Sequence, residues 1–368
     1  MNDPGEYKTT TTKRPEAVNS ADLKQTAVVA TLDCPMPERK NVIWCATFQV
    51  AWDKFKEDII GEPVRPIGAE ELADRLNRGK FPLENLEAES FYATAGFVEN
   101  QTIEEIQNEM AKRFPSEPTP VFDQLYRTLP KASVAYAYLS VDVGFKYPFY
   151  KHNQAFAFED SKGTRTDVMS FCAHAEGWEP DLQHVREQVE ILYYKYGKQR
   201  STEEFAVDLC KHTYPYQVVL ARMPRRIPLG EAVKELEENI SEFKRNPDYG
   251  ALRKLRPIDR LIVPDVLYKL MHHFTELENQ RLGNPRWPGY WISEARQMVD
   301  FALSRTGVVL KSQAVIHIIG AASTRPRIEE PRYFYFNRPF LIYVKKRGTD
   351  YSPFFVMWVD NVELMKKF

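Results

Sequence analysis

The sequence lacks the features that mark membrane-spanning, signal-peptide-bearing and strongly charged proteins. No apolar run approaches the about 18 residues that cross a bilayer, and the N-terminus has no apolar core of a signal peptide. The formal net charge is −1, so no overall field attracts nucleic acid or an anionic membrane. These absences favour a cytoplasmic protein, although secretion by a route without a signal peptide stays open.

Cysteine is scarce, and the usual catalytic and metal-binding motifs are missing. The four cysteines form no CxxC pair, which predicts reduced structural thiols. The seven histidines lack metal-ligand spacing, and the chain has no GxSxG, Walker or GxGxxG sequence. We therefore expect no metal, no cofactor and no catalytic residue, and we interpret the protein as a non-enzyme.

The composition is that of a folded chain with a polar beginning. Apolar residues make up 43% of the 368 residues, which is enough for a large core. Residues 1–20 are polar and rich in threonine and proline, so we expect a disordered tail there. The rest, residues 21–368, could by its length hold two domains, but large single α+β domains of this size are common, and we expect one domain.

The first third of the chain favours helices. Residues 41–60 predict a strand end that leads into a buried helix, and residues 68–79 predict a polar helix that closes at Gly79. Residues 91–110 are predicted to form an amphipathic helix, with Phe97 and Ile106 on its apolar face.

The rest of the chain favours antiparallel strands. Residues 133–145 are β-branched and aromatic, which predicts a strand buried on both faces. Further strands are expected in a hairpin at 155–174, in a pair joined near Pro215, at 261–279 and in three C-terminal runs, with one acidic helix after Pro228. This order of elements predicts an α+β fold.

Five stretches over residues 40–360 are similar, in matching order, to segments of one known family. The C-terminal stretch FNRPFLIYVKKRGTDYSPFFVMWVDN resembles the ending of the serpins. A second stretch resembles the central strand and its exit, LSVDVGFKYPFYKHNQAFAF, with Pro148 and Phe149 matching and Phe145 at the tryptophan position. The other three are similar to the sheet-crossing helix, the buried strand and helix, and the Leu-Pro segment: FVENQTIEEI, KNVIWCATFQVAWDKF and VVLARMPRRIPLGEAVKELEENI.

The resemblance implies a serpin-like α+β fold, with N-terminal helices packed on mostly antiparallel sheets. In the family, a protease cuts an exposed reactive loop, which then inserts into the main sheet and traps the protease. Between the early buried helix and the sheet-crossing helix, this chain has about half the family's residues. The resemblance therefore implies a reduced main sheet.

The hinge of the reactive loop matches residues 305–310, and it departs from the family. Gly307 stands at the family's glycine, whereas Arg305 replaces its glutamate. Where the family has small residues, the chain alternates, with Val308 and Leu310 facing one way, as in a half-buried strand. We expect residues 308–319 to join the main sheet during folding, which would leave a relaxed, non-inhibitory protein.

The positions that control sheet opening depart in the same direction. The stretch Cys45-Ala46-Thr47-Phe48 stands at the family's Ser-Pro-x-Ser, so Cys45 and Phe48 replace its serines. Ala137 and Gln297 stand at the family's asparagine and histidine, in the region where the main sheet of that family opens. The latch that the family builds from Asn, His and Glu cannot form from Ala137, Gln297 and Arg305. Drift in a buried core explains the same substitutions, and either interpretation weakens inhibition.

The loop at residues 320–332 holds the candidate bait, which is the peptide bond that a target protease would cut. Counting back from Pro339 by the family's spacing puts the scissile bond near Arg327-Ile328, which suits a trypsin-like protease. Counting forward from Gly307 ends about seven residues earlier, so the loop carries an insertion. Arg325 and Arg327 also fit a solvated basic loop.

Two main functions stay open at this point, and a third class, an enzyme that uses the fold as a frame, would need a pocket with convergent titratable groups. The first is a non-inhibitory scaffold that binds a protein partner, and the second is a working serine-protease inhibitor with its bait at Arg327-Ile328. Both predict a monomer with a protein partner, which is a protease in the second case. Neither involves nucleic acid or a membrane.

Overall fold

A computed structural model describes residues 16–122, 132–174, 181–196, 202–309, 330–348 and 350–368. The α-helices are α1 (Thr47–Lys54), α2 (Glu70–Arg78), α3 (Thr102–Arg113), α4 (Leu182–Glu187), α5 (Leu229–Lys244) and α6 (Tyr249–Leu252). A π-helical segment, Phe55–Ile60, continues α1. Short 3₁₀ helices occupy Ser20–Asp22, Leu83–Asn85, Val98–Asn100 and Val362–Leu364.

The strands, in chain order, are β1 (Val18–Asn19), β2 (Thr26–Val28), β3 (Asn41–Cys45), β4 (Phe91–Phe97), β5 (Ser133–Leu139), β6 (Val143–Gly144), β7 (Tyr150–Glu159), β8 (Arg165–Cys172), β9 (Glu190–Tyr196), β10 (Thr202–Asp208), β11 (Tyr216–Arg222), β12 (Arg260–Pro264), β13 (Val266–His273), β14 (Gln280–Arg281), β15 (Trp291–Ile292), β16 (Arg296–Ser304), β17 (Gly307–Val309), β18 (Tyr333–Tyr335), β19 (Phe340–Lys346) and β20 (Phe355–Val359).

The described strands form three larger sheets and two ribbons. The five-stranded sheet has the order β1-β13-β16-β17-β6, the seven-stranded sheet β2-β3-β20-β19-β11-β10-β9, and the four-stranded sheet β18-β12-β8-β7. The ribbons are β4–β5 and β14–β15. Most pairings are antiparallel, and helices accompany the sheets, which confirms the α+β fold class.

The seven-stranded sheet lies at the centre of the core. Strands β3 and β20 are buried along their whole length, and β19 is buried up to its last residue. Their near-continuous apolar sequences suit a sheet that is covered on both faces. A single apolar cluster extends from Val28 to Met365, so elements from both ends of the chain share this core.

Several predicted elements are confirmed. The strand and buried helix at 41–60, the polar helix ending at Gly79, the hairpin around Gly163, the strands on either side of Pro215 and the acidic helix after Pro228 all form. Gly163 has a φ of 82°, which is the left-handed conformation that the predicted turn requires.

The prediction of one helix over residues 91–110 is wrong in its first half. Residues Phe91–Phe97 form strand β4, and the helix begins only at Thr102. Gln101, with a φ of 62°, separates the two elements. Ile106 does lie on the buried face of α3, packed over Tyr92 of β4 in a small second core.

Two strand predictions need correction. Residues 133–145 form two strands separated by a break, and every residue of β5 is only half-buried, so this segment is not buried on both faces. Residues 261–279 also divide, because β12 joins the four-stranded sheet and β13 joins the five-stranded sheet.

The predicted boundary at residue 20 also shifts. Val18 and Asn19 pair with Leu270 and Met271 of β13, and the buried Ser20 hydroxyl lies 2.7 Å from His272 Nδ1. The folded body therefore includes residues that were assigned to the tail. Among the described helices, none combines the length and apolar character needed to cross a membrane.

Candidate hinge and sheet-opening site

The predicted hinge begins in a β-hairpin of the five-stranded sheet. Strand β16 turns at Arg305 and Thr306 and returns as β17, with Leu303 opposite Val308 and Ser304 opposite Gly307. Gly307 has a φ of 151°, a conformation that side-chain-bearing residues rarely adopt. The glycine thus allows the chain to reverse immediately after the strand.

The other edge of β17 pairs with β6, so the segment after the glycine has a strand on each side. Val308 lies opposite Val143, and Gly307 lies opposite Gly144. A Cβ added to Gly307 would lie 2.7 Å from the Val143 carbonyl oxygen, which is closer than such contacts allow. The Val308 side chain is 0% exposed.

Backbone hydrogen bonds hold the turn from the side of β6 and β7. The Phe145 N–H donates to the Thr306 carbonyl at 3.1 Å, and the Phe149 N–H donates to the Arg305 carbonyl at 2.8 Å. The rings of Phe145 and Phe149 are buried and meet edge to face at 5.1 Å. Arg305 therefore contributes its carbonyl to the fold, while the residue itself is exposed.

Gln297, one of the predicted sheet-opening residues, joins the five-stranded sheet to α1. Its side chain is 5% exposed, and Nε2 donates to the Cys45 carbonyl at 3.0 Å and to the Thr47 hydroxyl at 2.7 Å. Sequence reasoning missed the role of Thr47, although a hydroxyl residue within the Cys45-to-Phe48 stretch is the signal that could have found it.

Cys45 and Phe48 lie in the same buried region. The Phe48 ring stacks near Phe274, the residue after β13, with centroids 3.9 Å apart. Burial raises the pKa of the Cys45 thiol, because the thiolate would lose its hydration. The thiol is thus an apolar packing group under the sheet.

The predicted positions fall into two places that do not meet. Cys45, Phe48 and Gln297 are brought together at one end of β16, whereas Arg305 follows its other end. Gln297 and Arg305 are eight residues apart on an extended chain, a distance of about 26 Å. Ala137 lies on β5, opposite Ala93 of β4.

The remaining predicted positions lie outside the described residues. These are Leu310, Arg325, Arg327, Ile328 and the rest of the predicted strand and loop.

A buried ion pair that sequence reasoning missed anchors the chain where the described residues resume. Arg332 is 2% exposed, and its Nη2 donates to Asp259 Oδ2 at 2.6 Å. Nη2 also donates to the Lys254 carbonyl, and Nη1 donates to the Leu252 carbonyl. Burial alone would raise the pKa of Asp259, but the hydrogen bonds from Arg332 and Arg256 outweigh it and lower that pKa.

Metal-type side chains do not cluster in the described part of the chain. No group of three or more histidine, cysteine, aspartate or glutamate side chains lies close enough there to hold an ion.

Comparison with known proteins gives fold matches only. No family model matches the sequence, and no curated protein matches it either. Solved structures do match over most of the chain. Serpins are among the solved structures that match, each at a TM-score below 0.5.

Three matches illustrate the likeness. Native protease nexin-1 with heparin has a TM-score of 0.48 and 10% identity, covering 88% of this chain and 92% of that one. Tengpin, a thermophilic serpin in its native state, has a TM-score of 0.46 and 14% identity, covering 94% and 100%. Serpin48 of the insect Tenebrio molitor has a TM-score of 0.42 and 12% identity, covering 87% and 92%.

Proposed function

We propose that this chain is a divergent, non-inhibitory serpin that serves as a protein-binding scaffold. In this proposal the segment after Gly307 is a permanent strand of the main sheet, built in while the protein folds. In such a protein no strand is left to insert into the sheet after cleavage, so it cannot trap a protease.

The observation that carries the proposal is the position of Val308. Its backbone pairs with Leu303 on one side and Val143 on the other, and its side chain is fully buried. The first residues of the predicted strand are thus already in the sheet in an uncut chain.

The neighbouring ribbon offers a place for the strand to continue. Strand β5 pairs with β4, and its other edge has no partner strand in the described part of the fold. Helix α1 contacts both β5 and β16, so it bridges the space between them. Continuing β17 in register along β16 would lead the next residues into this space.

The energetics favour early insertion. Burying Leu310 or Ile316 is worth about 1.5–3 kcal/mol each, and each ladder hydrogen bond adds about 1 kcal/mol net. Exposing the same alternating apolar segment would instead create an uncovered apolar patch.

Thermal melting before and after a cut between Ala321 and Pro331 tests the proposal. The cut is introduced by limited proteolysis and located by mass spectrometry, with the uncut chain as control. We expect the two forms to melt within a few degrees of each other, since the strand is inserted in both. A large rise in melting temperature after the cut would show that insertion follows cleavage, and would refute the proposal.

The competing function is protease inhibition with the bait at Arg327-Ile328. It is supported by Arg325 and Arg327 in the loop sequence, which suit a trypsin-like protease, and by the anchoring of Arg332 beyond it. Incubation with trypsin should then give a complex that survives SDS, and Arg327→Ala should abolish it. We expect cleavage without such a complex.

A further inference from the structure

A small sheet far from the hinge presents one exposed row of side chains. Strand β14 pairs with β15, with Arg281 opposite Trp291. On its other side, the Ile67 N–H donates to the Arg281 carbonyl at 2.8 Å, and Pro66 pairs with Leu282. Because side chains alternate along extended chains, Ile67, Arg281 and Trp291 share the face opposite to Pro66 and Leu282.

The burial of these residues agrees with that alternation. Pro66 and Leu282 are buried, whereas Ile67 is 58% exposed, Trp291 is 53% exposed and Arg281 is exposed. We call Ile67, Arg281 and Trp291 the outer row. Two large apolar side chains in solvent, on either side of an arginine, form an apolar surface with a central positive charge.

The outer row stands on a rigid base. On the inner side, Trp287 stacks on Phe97 with centroids 6.1 Å apart and meets Tyr290 edge to face at 5.0 Å. The Asn284 side chain is 1% exposed and accepts from the Arg65 N–H at 2.8 Å. The outer row is therefore presented by a packed scaffold, which lowers the entropy cost of binding.

The outer row carries one positive charge, that of Arg281, and the nearby Glu70 carboxylate is bound to the Gly68 N–H. Arg65, Arg281 and Arg286 are exposed, and no carboxylate of the described residues forms an ion pair with any of them. Gly283 and Gly289 are also exposed in the turn that joins β14 to β15, and the Ile67 side chain lies beside Gly283. The result is an exposed surface on which two apolar side chains flank an arginine that forms no ion pair in the described part of the chain.

We propose that the outer row binds a protein partner through an apolar side chain flanked by aspartate or glutamate. Tryptophan and arginine carry a large share of binding energy at protein interfaces, and unpaired arginines favour an acidic partner. A single aromatic ring beside a branched aliphatic side chain is a poor platform for stacked bases. The inference deepens the scaffold function by giving it a binding face, and it rests on that function only in taking the partner to be a protein.

Selection from a phage-displayed random dodecapeptide library on the full chain tests this inference. We expect enriched peptides to contain acidic residues next to an aromatic or aliphatic anchor. A synthesised winner should bind Trp291→Ala and Arg281→Glu at least tenfold more weakly, and high salt should weaken its binding to the unmodified chain. The matched controls, Phe368→Ala and Lys162→Glu, change an exposed aromatic and an exposed charge elsewhere and should bind as the unmodified chain does.

Several outcomes would overturn the inference. Enrichment of no peptide would do so, as would peptides that bind the Trp291→Ala and Arg281→Glu variants undiminished. A single-stranded DNA 20-mer that binds the unmodified chain but not Arg281→Glu would assign the outer row to nucleic acid instead. Circular dichroism checks that each variant is folded. If Arg281→Glu does not fold, Arg281→Gln takes its place. The melting comparison of cut and uncut chain does not depend on any of these results.

Discussion

Truncation of Val308 to alanine tests directly whether strand β17 stabilises the fold of the uncut chain. The side chain is 0% exposed, between Leu303 at 1% and Val143 at 0%. Removing two carbon atoms forfeits about 1.6 kcal/mol of burial free energy. The cavity left behind adds about 1 kcal/mol. We therefore expect Val308→Ala to lower the free energy of unfolding by about 2–3 kcal/mol.

The assay is urea unfolding of the uncut protein, followed by intrinsic fluorescence and circular dichroism. Val121→Ala is the matched control, because Val121 is 81% exposed and its truncation should change stability by less than about 0.5 kcal/mol. The same comparison is then repeated on protein cut between Ala321 and Pro331. If the strand is inserted in both forms, the variant loses the same free energy in both.

Two outcomes would refute this reasoning. An uncut Val308→Ala protein as stable as the unmodified chain would mean that Val308 contributes nothing before cleavage. A loss confined to the cut form would mean that the strand enters the sheet only after the cut. Either result would favour the inhibitory mechanism.

Two further predictions concern buried carboxylates. Arg332→Met leaves the Asp259 carboxylate, 1% exposed, with Arg256 as its one remaining cationic partner among the described residues, so unfolding at neutral pH should become easier by about 3 kcal/mol. The loss should shrink in acid, where Asp259 gains a proton, and an undiminished loss at low pH would contradict the electrostatic origin. Burial raises the pKa of Asp265 to about 6. The folded state therefore loses stability, relative to the unfolded state, as the pH rises through that value. Asp265→Asn should therefore stabilise the protein by about 1–2 kcal/mol at pH 8 and by nothing near pH 4, whereas the exposed control Asp248→Asn should have little effect at either pH; equal stability of Asp265→Asn and the unmodified chain at pH 8 would refute the prediction.

Local sequence patterns predicted the elements that depend only on neighbouring residues. Helix α5 follows from its apolar spacing, and the hairpin at Gly163 follows from turn residues between alternating strands. The reversal at Gly307 also follows locally, because a glycine stands between two alternating segments. In each case the information lies within a few residues of the element.

The wrong prediction at residues 91–97 and the missed contacts have a common physical cause. Residues 91–97 are short and apolar, a pattern that fits a helix or a strand equally well, and pairing with β5 decides between them. The contact between Gln297 and Thr47 joins residues 250 positions apart, and that between Arg332 and Asp259 joins residues 73 positions apart. Such contacts leave no periodic trace in the sequence.

The fold class and the strand at residues 307–309 could be predicted from local sequence patterns, because side-chain alternation and glycine conformation act over a few residues. Long-range packing places Val308 between β16 and β6, joins Gln297 to α1, and puts Ile67, Arg281 and Trp291 on one exposed row. These outcomes depend on which distant segments pack together, and that choice is made by burial and pairing over the whole chain.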